Sequence, residues 1–237
     1  MYKVVWLCRF REGLDREEAR RHWRDVHGPI GGSVPQVVGY VQSHAVEPLG
    51  ASELGFDGYS CCWFADEDGY LASQRTPEWA ELGVDGEHVF DMAWFAGRSA
   101  ALDERTIVEG PAGPFKTVWV VRFREEIRSD PARAREAHEY WIREHGGRYG
   151  TAVPGIGRYL QNHCVAPLGA AGPDPGGELE FDGFSECWFA DRTAYERATG
   201  SPEWAEMGAD AQTFCDVDYI GRMGAVLEEH VVKAPPA

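Results

Sequence analysis

Basic residues are scarce in this chain of 237 residues: 23 lysines and arginines face 39 aspartates and glutamates, a formal net charge of −16. No basic cluster interrupts that excess, so a nucleic-acid partner is not expected. No apolar run approaches the roughly 20 residues of a membrane span, and no membrane partner is expected either. The opening MYKVVWLCRFRE has no apolar leader with a small-residue cleavage site, which gives the expectation of a cytoplasmic protein. Cysteine pairs at redox or metal spacing are missing too. Cys8, Cys61, Cys62, Cys164, Cys187 and Cys215 are scattered through apolar runs without a C-x-x-C pair. That argues against a disulfide scaffold and a zinc site, and leaves buried reduced thiols acting as small apolar residues. What is present is 43% hydrophobic residues and nine tryptophans, enough for an ordinary core in one large domain or two small ones.

An internal repeat of roughly 120 residues organises the chain. KVVWLCRFRE (3–12) returns as KTVWVVRFRE (116–125), and HWRDVHG (22–28) as YWIREHG (140–146). VGYVQSHAVEPLG (38–50) returns as IGRYLQNHCVAPLG (156–169), FDGYSCCWFAD (56–66) as FDGFSECWFAD (181–191), and TPEWAELGVD (76–85) as SPEWAEMGAD (201–210). The largest length change is GAAGPDPGGELE in place of GASELG, a Gly/Pro-rich insertion that belongs in a surface loop. The acidic excess is shared, with 10 basic against 19 acidic residues in 1–113 and 13 against 20 in 114–237.

Each half presents the same order of elements. Residues 3–11 alternate as a strand, and Asp15 caps a helix that runs to about Val26 and stops at Gly28-Pro29. Strands are expected at 38–46 and 57–64, short helices from Asp66 and Thr76-Pro77, and a last strand at about 90–97. The order βαββαβ is the ferredoxin-like unit, an α+β arrangement with helices on one sheet face only. The other face must be buried, and a second unit supplies the cover. The expected organisation is two domains, 1–113 and 114–237, forming an intramolecular pseudo-dimer with 99–115 as linker; a homodimer of such chains is also open.

Trp23 with His27-Gly28-Pro29, Gly39-Tyr40 with Gln42 and His44, Phe56-Asp57-Gly58, Pro77-Glu78-Trp79 and the Asp85 to Phe90 segment resemble the EthD family, and the resemblance covers both halves. It implies a tandem EthD-like chain of the dimeric α/β-barrel superfamily, with ligand pockets between each sheet and its own helices. Similar proteins include cofactor-free lactone isomerases, polyketide cyclases and decarboxylases. More distant relatives include cofactor-independent monooxygenases and haem enzymes. Fold analogy alone does not choose among these chemistries.

The residues narrow the choice. His27 and His145 close the first helix of each half, where an imidazole either moves protons near neutral pH or caps the helix dipole. In isomerase-like family members the matching histidine is a catalytic candidate. Tyr40, Gln42 and His44 alternate on one strand face, as do Tyr159, Gln161 and His163. Each trio lines a ligand pocket, forms a polar network inside the barrel, or lies on an exposed edge. The resemblance makes Tyr40 and Tyr159 the phenols beside the histidines, donors to developing oxyanion charge, with His44 and His163 as orienting groups or second acids. Trp23, Gln42, Trp141, Gln161 and Arg148 are the substrate-binding candidates, Arg148 as a partner for a carboxylate. Asp57 and Asp182 read as turn formers, and Trp79 and Trp204 as packing residues. The halves differ where Cys61 is replaced by Glu186, where His27-Gly28-Pro29 becomes His145-Gly146-Gly147, and where Trp94 is expected to become Asp218 and Phe95 to become Tyr219. One half is then the candidate for keeping catalysis. The function expected is a lyase or isomerase without cofactor or metal, moving protons on a small aromatic or polyketide-like carbonyl substrate. The alternatives are a cofactor-free monooxygenase, a haem enzyme of the superfamily, or a non-catalytic small-molecule binder.

Overall fold

The computed structural model describes residues 1–168 and 177–236. Most of the GAAGPDPGGELE insertion, residues 169–176, lies outside the described residues, and the surface-loop expectation falls there.

Eight antiparallel strands close into one barrel: β1 (Tyr2–Cys8), β2 (Gly39–Pro48), β3 (Gly58–Phe64), β4 (Ser99–Val108), β5 (Phe115–Val121), β6 (Arg158–Pro167), β7 (Gly183–Phe189) and β8 (Gly224–Lys233). Their order around the barrel is β1-β3-β2-β8-β5-β7-β6-β4. Period-two alternation assigns the faces. Lys3, Val5 and Leu7 of β1 share one face with Lys116, Val118 and Val120 of β5, and these meet in the lumen, where Val5, Leu7, Val118 and Val120 join Tyr59, Cys61 and Phe184 in one core cluster. Val4 and Cys8 point the other way, into clusters beneath the helices.

The last strand of each unit is not where the alternation suggested. Residues 92–95 form a 3-10 turn, and the strand is β4, within the stretch expected to be a linker. Ser99–Leu102 pair with β1, and Ala100–Val108 pair with β6 of the other half. β8 does the same, pairing with β5 at its start and with β2 beyond. Residues 100–102 thus pair on both sides and 103–108 with β6, so backbone groups that a free linker would leave to water find partners.

Outside the barrel, the first half carries α1 (Arg16–His22), a π-helical turn (Trp23–His27), α2 (Gly28–Ser33), α3 (Glu67–Ser73) and α4 (Pro77–Val89). The second half carries α5 (Glu125–Arg128), α6 (Pro131–Tyr140), a longer π-helical stretch (Trp141–Gly150), α7 (Arg192–Thr199), α8 (Pro202–Ala211) and α9 (Val217–Arg222). Asp15, Asp66, Thr76, Asp130, Asp191, Ser201 and Asp216 each accept a backbone N–H at a helix start, worth about 1 kcal/mol apiece.

Gly28-Pro29 does not end the helix. The π-turn shifts the hydrogen-bond register so that Gly28 donates to Trp23 O, and Pro29 falls in the first turn of α2, where its missing N–H costs nothing. Asp57 is a long-range staple as well as a turn residue, since its Oδ2 accepts from the Phe10 N–H at 2.8 Å and Asp182 does the same for Phe123 at 2.7 Å.

At one end of the lumen the apolar core gives way to charge. Lys3, Lys116 and Glu186 are all buried. Lys116 bonds Glu186 and Glu229, Lys3 bonds Glu104 and Asn162, and Tyr59 and Asn162 donate to Glu186 at 2.5 and 2.8 Å. Burial opposes the charges on these groups, but the attraction between them prevails. Both lysines stay above their ordinary pKa, and Glu186 is held down at about 2.

Candidate functional site

In the first half a cavity of ≈ 430 Å³ opens between the sheet and its helices. Trp6 and Cys8 of β1, Tyr40 of β2, and Ser60 and Cys62 of β3 form its floor. Val34 and Val37 after α2, Trp79 and Leu82 of α4, and Phe90, Met92 and Phe95 close it with apolar surface. Its polar groups are His27, Tyr40, Ser60, Gln74 and Glu87, and no lysine or arginine lines it. Such a pocket suits an uncharged, flat, mostly apolar molecule with one or two oxygens to bind.

His27 lies at the end of the π-turn and donates through Nδ1 to Asp85 Oδ2 at 2.8 Å. Asp85, on α4, also accepts from His22 Nε2 at 2.8 Å. Burial opposes the Asp85 charge, but the hydrogen bonds from His27 and His22 outweigh it and hold the carboxyl below its ordinary pKa. With Nδ1 committed to a carboxylate and the ring lining the cavity, Nε2 is left to act on a ligand, supported by a fixed anion on the far side.

Tyr40 belongs to a polar ladder along β2. His44 Nε2 donates to Gln42 Oε1 at 3.2 Å; Gln42 Nε2 donates to Tyr40 OH at 3.0 Å and to Trp23 O at 2.8 Å; Tyr40 OH meets Ser60 Oγ at 3.2 Å. Because Tyr40 accepts from Gln42, its own proton goes to Ser60 or into the cavity. Burial pushes its pKa up, so it remains a neutral donor. Two glycines make room for the ladder: a Cβ on Gly28 would stand 2.8 Å from Gln42 Nε2, and one on Gly31 would stand 2.8 Å from the Tyr40 ring. That explains the glycine after each helix histidine, since Gly146 and Gly150 play the same parts against Gln161 and Tyr159.

His44 and Trp23 do not reach the cavity. Their rings stack at 4.1 Å between centroids, both buried. Burial, helped by His230, Arg20 and Arg24, pushes the His44 pKa down to about 3, so it stays neutral and positions Gln42. Gln42 is fully buried and links Trp23 to Tyr40.

The second half repeats the constellation. His145 Nδ1 donates to Asp210 Oδ2 at 2.8 Å, and Asp210 accepts a short bond from Tyr140. His163, Gln161, Tyr159 and Ser185 form the same ladder, and Gln161 again holds Trp141 O. Burial, with His138 and Arg105, lowers the His163 pKa to about 3, and its Nδ1 meets His138 Nδ1 at 2.9 Å. Tyr159 packs with Cys187, Val153, Trp119, Trp204 and Met207 in one cluster. Arg148 is exposed on the π-helical stretch beside Glu144 and Tyr149. It does not line the described cavities.

Asp85 and Asp210 are the site residues that sequence reasoning did not single out. The signal was present, because both repeated blocks end on them. The cap register also corrects the pairing of divergent residues. Asp91 and Asp216 cap equivalent turns, so Trp94 corresponds to Tyr219 and Phe95 to Ile220. The replacement of an aromatic by Asp218 disappears from the comparison.

A family model, the EthD domain, matches residues 11–93 and 130–218. No curated protein matches the chain in sequence. Among solved structures, an anthrone oxidase-like protein aligns over 100% of this chain and 96% of its own at 10% identity, with a TM-score of 0.55. An ethyl tert-butyl ether d (ethd) family protein from Bacillus halodurans C-125 covers 49% of this chain and 96% of its own at 17% identity, TM-score 0.34. A mutant chlorite dismutase from Candidatus Nitrospira defluvii covers 98% and 92% at 11% identity, TM-score 0.49. The shared architecture is the dimeric α/β barrel, an α+β fold built here within one chain.

Proposed function

The chain belongs to the EthD family, and within it we propose a cofactor-independent enzyme that moves protons on a small, uncharged aromatic or polyketide-like carbonyl compound. The observation that carries this reading is the His27–Asp85 pair at the wall of an apolar cavity that also holds Tyr40. His27 Nε2 takes a proton from a carbon next to the substrate carbonyl, and the electron pair moves onto the carbonyl oxygen. The Tyr40 hydroxyl donates to that oxygen, and Asp85 steadies the imidazolium that forms. His27 then returns the proton to a different carbon, which isomerises the substrate, or to a departing hydroxyl, which dehydrates a cyclised one. Decarboxylation fits less well, since the lining offers no cation for a carboxylate.

A second reading, oxygenation, is favoured by the full-length fold likeness to an anthrone oxidase-like protein. It begins with the same proton abstraction, after which dioxygen oxidises the carbanion. Haem does not fit the residues, because the cavity offers no arginine or lysine to pair with two propionates. No step is derived through it.

The test is turnover of anthrone, unsaturated lactones and linear polyketide mimics, with and without oxygen. Substrate loss that depends on His27 supports general-base catalysis, and oxygen uptake in step with it selects the oxygenation reading. Turnover that persists unchanged in His27→Ala overturns both. A tight binder with no turnover in wild type points to a carrier.

A further inference from the structure

The second described cavity, ≈ 270 Å³, opens at the charged end of the barrel lumen, away from the helix-covered site and independent of the function proposed above. Its walls come from both halves in matched pairs. Lys3 stands across from Trp63, and Lys116 from Trp188. Lys3 bonds Glu104 at the position where Lys116 bonds Glu229. The correspondence breaks at Tyr59, whose counterpart is Phe184, at Arg158, whose counterpart is Gly39, and at two further places. Cys61, opposite Val5, occupies the position that Glu186 occupies opposite Val118, and Ser43, opposite Tyr59, occupies that of Asn162 opposite Phe184.

On the second half's side, the Glu186 carboxylate is received by Lys116, Asn162 and Tyr59. On the first half's side the carboxylate is missing, Phe184 stands where Tyr59 supplies a hydroxyl, and Lys3 and Ser43 are the donors that remain. The Ser43 hydroxyl is fully buried, lines the cavity and has no hydrogen-bond partner. An ammonium has three protons to donate, and Lys3 uses two of them, on Glu104 and Asn162. Glu104 and Glu229, the other partners of the two lysines, sit at the rim and keep a third of their side-chain surface in solvent. Arg158 adds a further cation at the mouth, over the Trp188 ring.

We propose that this lumen site binds a small monocarboxylate, whose carboxylate takes the place of the glutamate missing opposite Glu186. It accepts from Lys3 Nζ and Ser43 Oγ, and its apolar remainder lies among Val41, Trp63 and Leu160. The thiol of Cys61, shorter than a glutamate side chain, leaves the space.

Titration of the whole protein with sodium acetate and sodium benzoate, followed by calorimetry and by ligand-observed NMR, tests this. Saturable one-site binding is expected. Losing the charge-assisted bond in Lys3→Met weakens it about tenfold or more, and Ser43→Ala weakens it by a factor of a few. Cys61→Glu supplies the missing carboxylate from the chain and abolishes binding, whereas His27→Ala leaves it unchanged. A titration showing no saturation in the wild type overturns the proposal. So does wild-type affinity in folded Ser43→Ala, which alters no charge and serves if Cys61→Glu does not fold. Loss of binding in His27→Ala would move the ligand to the other cavity and overturn it as well.

Discussion

The two halves place the same histidine against the same aspartate and then diverge one turn earlier. Asp85 sits between His27 and His22, whereas Asp210 sits between His145 and Tyr140. The ladders behind them, from His44 to Ser60 and from His163 to Ser185, match bond for bond. What separates the halves is the lining in front of the histidine. The first half's cavity is lined by Leu82 and Cys8, while the corresponding positions in the second half are Met207 and Val121. A conserved-looking hydrogen-bond constellation is therefore an incomplete sign of a site, because the ladder also has a packing role. Gln42 ties the Trp23 carbonyl, which also accepts from Gly28, to Tyr40 and His44, and so holds the π-turn against β2.

The comparison breaks most visibly at the histidines. His27→Ala is expected to lower turnover by about 10²–10⁴-fold, the usual worth of a general base, while His145→Ala leaves it nearly unchanged. Equal losses in steady-state kinetics would place catalysis in both halves.

Next in size is the lumen asymmetry. Glu186→Ala breaks the buried pair with Lys116, strips Tyr59 and Asn162 of their acceptor, and is expected to cost about 3–5 kcal/mol in urea unfolding. Cys61→Ala at the matching position removes only a small buried group, costing about 1 kcal/mol. Equal costs would mean the charged layer is solvated rather than buried.

Acid tests what the halves share. His44 and His163 are held neutral by burial, with pKa values near 3. Between about pH 6.5 and 3 the unfolded chain binds protons that the folded chain refuses, so stability falls with falling pH, by up to about 1.4 kcal/mol per pH unit per histidine. Glu186 adds to the loss from about pH 4.5 down towards 2, because its depressed pKa stabilises only its ionised form. Urea midpoints at pH 7 and pH 5 check the histidine part. His44→Phe should flatten the slope, and an unchanged slope would show that His44 is protonated in the fold.

The smallest effect is the most specific. His22→Tyr copies the second half into the first, replacing a half-exposed imidazole partner of Asp85 with a phenol donor. Turnover should change by only about two- to fivefold, the worth of a solvent-exposed pair. A collapse of activity would show that His22 takes part in the chemistry.

Much of this was legible in the sequence, for identifiable reasons. Strand faces follow from alternation, so Tyr40, Gln42 and His44 fall on one face and Tyr59, Cys61 and Trp63 on the other. Repetition made the unit visible without any partner. What failed was non-local. Ser99–Val108 looked like a linker because most of its pairing is to β6, more than fifty residues away in sequence. The Asp85–His27 bond spans a separation of 58 residues, and no local pattern announces it. Gly28-Pro29 misled for the opposite reason, since a reliable local rule was overruled by a single π-turn that shifts the register. The Cys61 and Glu186 difference was visible, but its meaning required knowing that both point into one lumen.

That lumen also shows what joining two units in one chain permits. Three glutamates, Glu104, Glu186 and Glu229, serve its two buried lysines. Two identical subunits related by a twofold axis contribute every off-axis side chain twice, so their shared interior holds such carboxylates only in even numbers. A covalent repeat is free of that parity, and one substitution can change the lumen's charge by a single unit. Because β4 and β8 each hydrogen-bond into the opposite half, the unequal positions are also locked into one cooperative body.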